Sequence, residues 1–214
     1  VVIKDYYTYD SLDLELIKEL DFNLSFFMQN DIINTKDLVF NNVIQAKNKI
    51  TLIYRDTNAN TIQFIYELIA DSYNLKFDVL TENGNTYIEP NKLNFLQKVN
   101  QLEKNLKNER NTTTIHYSFN NNSSKQISLM KDVEKNIEKP IWVAHKQQFF
   151  STIISSNNHF SEAVISTYSP DSDEYVKSLK SEFKIEYDNS NNNYSFDFYF
   201  LPNNSNMVHP RNYS

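Results

Sequence analysis

Tyr73-Asn-Leu-Lys-Phe-Asp-Val-Leu80 is the stretch whose pattern decides the fold class. Leu75, Phe77 and Val79 alternate with Asn74, Lys76 and Asp78. An extended chain therefore puts the apolar set on one face and the polar set on the other. Glu82-Asn-Gly-Asn85 follows at once. Asn-Gly adopts positive φ at low cost, so the segment predicts a hairpin whose returning strand begins at Tyr87-Ile88.

The same period-two pattern extends outward in both directions. Ile50-Thr-Leu-Ile-Tyr-Arg55 and Thr61-Ile-Gln-Phe-Ile-Tyr-Glu-Leu-Ile69 are rich in β-branched and aromatic residues. Further strands are expected at residues 113–119, 141–147, 149–155, 162–168, 183–187 and 194–200. Asn-rich turns at residues 120–124, 156–159 and 189–193 separate them. Many short strands with polar turns predict an all-β sandwich.

Two segments break the pattern. Leu93, Leu96, Val99, Leu102 and Leu106 recur at helical spacing. Residues 91–110 thus read either as a helix covering a sheet edge or as a strand leading into a short helix. Tyr175-Val-Lys-Ser-Leu-Lys180 reads as a second helical turn. No linker and no fixed-period repeat divides the chain, which predicts a single domain.

Composition removes most enzyme classes. The chain has 214 residues, enough for one domain burying roughly 70% of its unfolded surface. Its 21 basic and 27 acidic residues leave a net charge of −6, against the cationic field a nucleic-acid or anionic-membrane binder needs. Cysteine is absent, which excludes disulfides, thiolate zinc sites and thiol nucleophiles. Gly84 is the only glycine, so no phosphate-cradling loop or nucleophile elbow can be built. About thirty asparagines point to an AT-rich genome, and triplets such as Asn23-Leu-Ser25 are read as a product of that bias before glycosylation. The chain begins at Val1 and holds no apolar run near the ~18 residues of a membrane span, so it reads as a soluble piece of a longer protein.

Candidate chemistry is sparse. His116, His145, His159 and His209 are scattered with no metal-binding spacing. His116 and His145 fall within expected strands and are read as exposed or hydrogen-bonded. The acidic groups Asp13 with Glu15, and Asp171 with Asp173 and Glu174, read as solvated turns. Neither catalytic nor cofactor-binding nor metal-binding residues are assigned.

Trp142-Val-Ala-His-Lys-Gln-Gln-Phe-Phe-Ser-Thr-Ile-Ile154 is the densest unusual segment. Alternation puts Phe149 and Phe150 on opposite faces. The structural reading is a core strand whose glutamines meet backbone partners; the functional one is an aromatic platform for a ligand.

This segment resembles the W-(I/V)-A-x-K-x-Q-F-F-S stretch in the large periplasmic domain of YidC-type membrane protein insertases, most like the Bacteroidetes members. Ile33-Asn-Thr-Lys-Asp-Leu-Val-Phe40, Leu102-Glu-Lys-Asn-Leu-Lys-Asn-Glu-Arg110 with Thr114-Ile-His-Tyr117, Tyr175-Val-Lys177 and Phe198-Tyr-Phe-Leu-Pro-Asn203 follow the family's motifs in order. The collinear match runs over residues 1–204, and the tail at 205–214 matches poorly. Asn105 and Leu201 stand where the family has glycine; if those glycines hold positive φ, Asn105 tolerates it and Leu201 is strained.

The resemblance implies a β-supersandwich, similar to galactose-mutarotase-like folds, with one or two short helices near its C-terminal end. It implies a periplasmic docking domain of an inner-membrane insertase that inserts and folds membrane proteins, alone or with the Sec translocon. SecD–SecF and nascent membrane proteins are the implied partners, with no nucleic acid. The signature residues it marks are Glu103, Lys104, Glu109, Trp142, Lys146, Gln148, Phe149, Phe150, Tyr199, Phe200, Pro202 and Asn203, read as structural. A carbohydrate-binding or mutarotase-like sandwich is the rival reading. It would need His116 or His145 beside a carboxylate in a concave pocket.

Overall fold

Seventeen strands realise the alternation among the described residues, which in the computed structural model are 2–28, 31–82, 88–120, 123–157, 160–186 and 193–203. They run β1 (Val2–Tyr7), β2 (Asp13–Glu15), β3 (Ile17–Met28), β4 (Asp31–Asn34), β5 (Asn42–Gln45) and β6 (Lys49–Arg55). Next come β7 (Thr61–Leu68), β8 (Asn74–Glu82) and β9 (Ile88–Val99), then the helix α1 (Leu106–Thr112). The last eight are β10 (Thr114–Asn120), β11 (Ser123–Gln126), β12 (Val133–Glu138), β13 (Trp142–Lys146), β14 (Phe150–Ser156), β15 (Phe160–Tyr168), β16 (Ser178–Ile185) and β17 (Asn193–Pro202).

Two large sheets and one ribbon result. The nine-stranded sheet has the order β11-β10-β13-β14-β17-β8-β7-β6-β5, and the six-stranded sheet β12-β15-β16-β9-β3-β4. All the recorded pairings are antiparallel, including β1 with β2 in the ribbon. This is the expected all-β supersandwich, two sheets sharing one apolar layer.

That layer is dominated by phenylalanine. Phe22 of β3 meets Phe77 of β8 and Phe198 of β17 across the sandwich, at ring distances of 5.4 and 5.8 Å. Phe26 meets Phe64 at 6.0 Å, and Phe160 meets Phe196 at 6.1 Å. Each fully buried ring contributes about 2–3 kcal/mol of transfer free energy, and the edge-on pairs add a little more.

Several expectations change. β8 alternates as read, but it lies between β7 and β17, while β9 lies between β16 and β3. The two strands that Asn83-Gly84 was expected to join as a hairpin are therefore in different sheets; the turn itself lies outside the described residues. Both edges of β8 are already satisfied, so the chain after it crosses to the other layer. Residues 88–112 are a strand followed by a short helix, the second of the two readings. Residues 175–177 form no helical turn and lead into β16. The one α-helix among the described residues sits mid-chain, not toward the C-terminal end; a 3-10 turn at Thr35–Asp37 is the other helical element.

Positive φ falls elsewhere than expected. Asn105 has φ −101°, and Leu201 lies in regular strand. Among the described residues the left-handed positions are Ser11, Ala59, Asp71 and Lys139, with φ from 45° to 62°. With almost no glycine in the chain, ordinary residues carry this strain.

Candidate docking face and the lock at its end

The nine-stranded sheet has an inner face against the core and an outer face away from it. Register fixes which residues share the outer face. Trp142 lies opposite Ser155, which lies opposite Asp197, which lies opposite Lys76. One rung along, His116, Ala144, Ile153, Tyr199 and Asn74 form a row. The next rung holds Lys146, Ser151 and Leu201.

Ala144, Ile153 and Leu201 are buried here, apart from the main core, beneath half-buried Trp142 and Tyr199. The outer face thus carries a small apolar floor with polar flanks. Asn74 donates from Nδ2 to Asp197 Oδ1 at 3.1 Å. Burial lowers the pKa of Lys146, and burial with the nearby Lys146 charge lowers that of His116. Both shifts disfavour the charged form where water is partly excluded.

His145 points the other way. It is fully buried between the sheets, with Nε2 2.8 Å from Ser181 Oγ and its ring 5.4 Å from Phe95. Burial pushes its pKa down to about 3, so it is neutral at any physiological pH. Among the described residues neither histidine has the carboxylate partner that an acid–base mechanism requires: His145 faces Ser181, and His116 feels Lys146. His159 and His209 lie outside the described residues. No cluster of three or more potential metal ligands occurs among the described residues.

The Gln147–Phe150 turn, between β13 and β14, is tied from both sides. Gln147 is buried, its N–H donates to the Phe150 carbonyl at 2.8 Å, and its side chain donates to Leu16 O at 3.1 Å. Asn203 closes the turn from the other side. Its N–H donates to Phe149 O at 2.6 Å, and Nδ2 donates to Gln147 O at 2.8 Å and Gln148 O at 3.2 Å. Its Oδ1 accepts from Ser151 Oγ at 2.6 Å. Phe150 faces the core and takes Tyr6 edge-on at 5.3 Å, while Phe149 is exposed. The expected opposition of the two rings is therefore present, with Phe150 in the core.

The second signature run packs beside this lock. Asn105 caps α1 by accepting from Asn108 N at 3.0 Å. Asn108 Nδ2 donates to Gln148 Oε1 at 3.3 Å, joining helix and turn. Glu109 is buried and accepts from Leu102 N at 3.1 Å; burial raises its pKa to about 7. Glu103 is half-buried and Lys104 exposed. Phe200 packs on the core, and Pro202 lies opposite Phe150.

Three residues outside the expected site set do comparable work. Of the adjacent pair, Gln147 and not Gln148 is the buried one. Arg110 donates to the carbonyls of Ser172, Tyr175 and Val176. Lys177 is buried and donates to Thr113 O at 3.0 Å and Leu129 O at 2.9 Å; burial lowers its pKa. The paired glutamines and the run ending in Arg110 were visible signals, whereas nothing local to Lys177 predicts its burial.

Comparison with known families decides the class. Residues 23–212 match the family model described as the YidC periplasmic domain. The chain belongs to that family. The YidC periplasmic match reaches into the segment at 205–214. Among curated relatives, the membrane protein insertase YidC of Phocaeicola vulgatus is 27% identical over 211 residues, covering 94% of this chain and 34% of the relative. That of Azobacteroides pseudotrichonymphae is 26% identical over 217 residues, covering 97% and 36%. That of Amoebophilus asiaticus is 30% identical over 224 residues, covering 95% and 37%. The chain spans about a third of the length of these YidC relatives.

Solved structures show the same fold outside the YidC family. The α-N-acetylgalactosaminidase NagBb of Bifidobacterium bifidum, in its GalNAc complex, superposes with TM-score 0.54 at 7% identity, over 87% of this chain and 31% of that one. A bacterial glucoamylase complexed with acarbose gives TM-score 0.50 at 12% identity, over 86% and 27%. At such identities the likeness concerns fold alone.

Proposed function

We propose that this chain is the periplasmic docking module of an inner-membrane protein insertase, occupying residues 1–204, and that it acts without bond-making chemistry of its own. The family match over residues 23–212 carries this reading. The geometry supports it. Asn203 ties strand ends together at the 147–150 turn, Glu109 holds the approach to α1, and neither described histidine has a carboxylate among its described partners. No helix among the described residues is long and apolar enough to cross a membrane.

In this reading SecD–SecF, the Sec translocon and nascent membrane proteins are the partners, and the outer face around Trp142 and Tyr199 is the surface offered to them. The test is capture by the purified chain from detergent-solubilised inner membranes, read by mass spectrometry. Recovery of SecD–SecF or translocon subunits, reduced by Trp142→Ser with Tyr199→Ser, is the expected result. Failure to recover any Sec component, alongside defined glycan-array binding, would replace it with the carbohydrate-binding reading.

A further inference from the structure

The sheet edges differ in how they are guarded. A strand with no neighbour on one side leaves backbone N–H and C=O groups open to another strand, and a charged residue in the strand is a common block. Every other edge strand among the described residues carries one: Lys4 and Asp5 in β1, Asp13 and Glu15 in β2, Asp31 in β4, Lys125 in β11, and Glu134, Lys135 and Glu138 in β12. β5 carries none, and it ends the nine-stranded sheet. No charged residue occurs from Leu38 to Ala46. All four β5 residues are exposed, Val43 by 57% and Ile44 by 55%.

The apolar layer of the sandwich runs out at this edge. Register sets Val79, Phe64, Leu52 and Val43 in one row across β8, β7, β6 and β5. Val79 and Phe64 are buried, Leu52 is half-buried and Val43 is exposed. Val43 thus continues a core row past its cover.

Bonding direction fixes which backbone groups are open. Ala46 N–H donates to Lys49 O at 2.8 Å, and Leu68 N–H donates to Asn48 O at 2.8 Å. Alternation along the antiparallel ladders then turns the backbone groups of Asn42 and Ile44 toward β6, and those of Val43 and Gln45 toward the open edge. Asn42 Oδ1 accepts from the Val43 N–H at 2.8 Å on the exposed surface. An incoming carbonyl can take its place, exchanging one acceptor for another.

We propose that β5 pairs antiparallel with β5 of a second copy of this chain, joining two nine-stranded sheets about a two-fold axis. The register must set outward-facing residues against each other. Centred on Ile44, it sets Val43 opposite Gln45 of the second copy, Ile44 opposite Ile44, and Asn42 opposite Ala46. Lys47 falls opposite Asn41, so no like charges meet, and none of the 27 acidic residues lies in the paired segment. This self-match selects a second copy as the occupant: donors meet acceptors, the central apolar residue closes on itself, and no charge is opposed. The pairing is a property of β5 and does not rest on the insertase reading.

Sedimentation of the full chain at rising concentration is expected to show a monomer–dimer equilibrium, with the Gln45 amide exchanging more slowly as dimer forms. Gln45→Pro removes an N–H turned away from β6, which proline at a sheet edge tolerates, and should weaken association about tenfold or more. Val43→Lys puts a charge on the edge and should act the same way. Near-UV circular dichroism monitors the folding of both variants. The chain has no cysteine, so Ile44→Cys supplies a single thiol. At the two-fold position its two Cα atoms would stand about 4.5 Å apart, within disulfide reach. Mild oxidation should cross-link Ile44→Cys and leave Asn42→Cys, whose opposite residue is Ala46, without a cross-link.

A chain that stays monomeric up to about 1 mM, a dimer insensitive to both edge variants, or equal cross-linking at positions 42 and 44 would overturn the proposal. The outcome is separable from that of the Sec capture. Capture without dimerisation removes the pairing alone, and dimerisation without capture removes the Sec partners alone.

Discussion

His145 on β13 reaches across the sandwich to Ser181 on β16, Nε2 to Oγ at 2.8 Å, in a layer made mainly of phenylalanine, leucine, isoleucine and valine. Gln97, Thr152 and Thr167 are buried on neighbouring strands of the same interior. The supersandwich therefore has a polar seam near the end that holds α1. Its titration opposes that of Glu109, and stability should show both.

The pH dependence follows from two shifts of opposite effect. Glu109 is raised from 4.5 to about 7, so the folded state binds its proton more tightly and stability falls as pH rises between those values. His145 is lowered from 6.5 to about 3, so the unfolded state binds the proton more tightly and stability falls as pH drops through that range. Between about pH 4.5 and 6.5 the two slopes offset each other. Urea unfolding of Glu109→Gln across pH 4 to 8 should show stability rising with pH up to about 6.5. His145→Gln should show the reverse slope, falling up to about pH 7. Matching profiles in both variants would refute the assignment.

Asn203 makes four hydrogen bonds around the 147–150 turn. Asn203→Ala should cost about 2–3 kcal/mol in urea denaturation, through lost partners for two carbonyls and the Ser151 hydroxyl. Asn203→Asp should cost more, because its carboxylate would face the carbonyl oxygens of Gln147 and Gln148.

Lys139 and Ala59 are exposed and hold φ at 45° and 62°. Lys139→Gly and Ala59→Gly should each stabilise by up to about 1 kcal/mol, the relief of left-handed strain exceeding the added unfolded-state entropy. Ala59 lies on the β6–β7 hairpin and Lys139 on the crossover from β12 to β13, so the double variant should be additive within about 0.5 kcal/mol. A loss of stability at either site would show that its side chain carries a compensating contact.

Lys177 is the donor shared by the carbonyls of Thr113 and Leu129. Lys177→Met keeps the stem and removes the donor, and should cost about 2–4 kcal/mol. Amide exchange should quicken at Ile127, whose N–H bonds to Ile115 O beside Leu129. Unchanged exchange there would mean that the 127–129 segment is held by its backbone alone.

The class of the fold was legible because alternation survives in most strands, β8 above all. Connection between sheets was not legible: Asn83-Gly84 signals a turn, but whether the next strand returns depends on edges already taken by β7 and β17. β9 was ambiguous for a local reason. Gln97 is fully buried at a position where alternation calls for an apolar residue, while Leu96 faces outward, so the leucines coincide with a helical period. In the site, the structural reading of the 142–154 segment matches Gln147, whose side chain meets the Leu16 carbonyl, whereas Gln148 accepts from the side chain of Asn108. Lys177 could not be read because its partners lie 64 and 48 residues away.

The anchoring of Tyr6 and Asn203 at one turn has a mechanical consequence. Tension applied between Tyr6 and Asn203 would pass through Phe150 and Phe149, without loading the long strands of either sheet. A strong pull on these two residues should peel β1 and the end of β17 away before the sandwich shears.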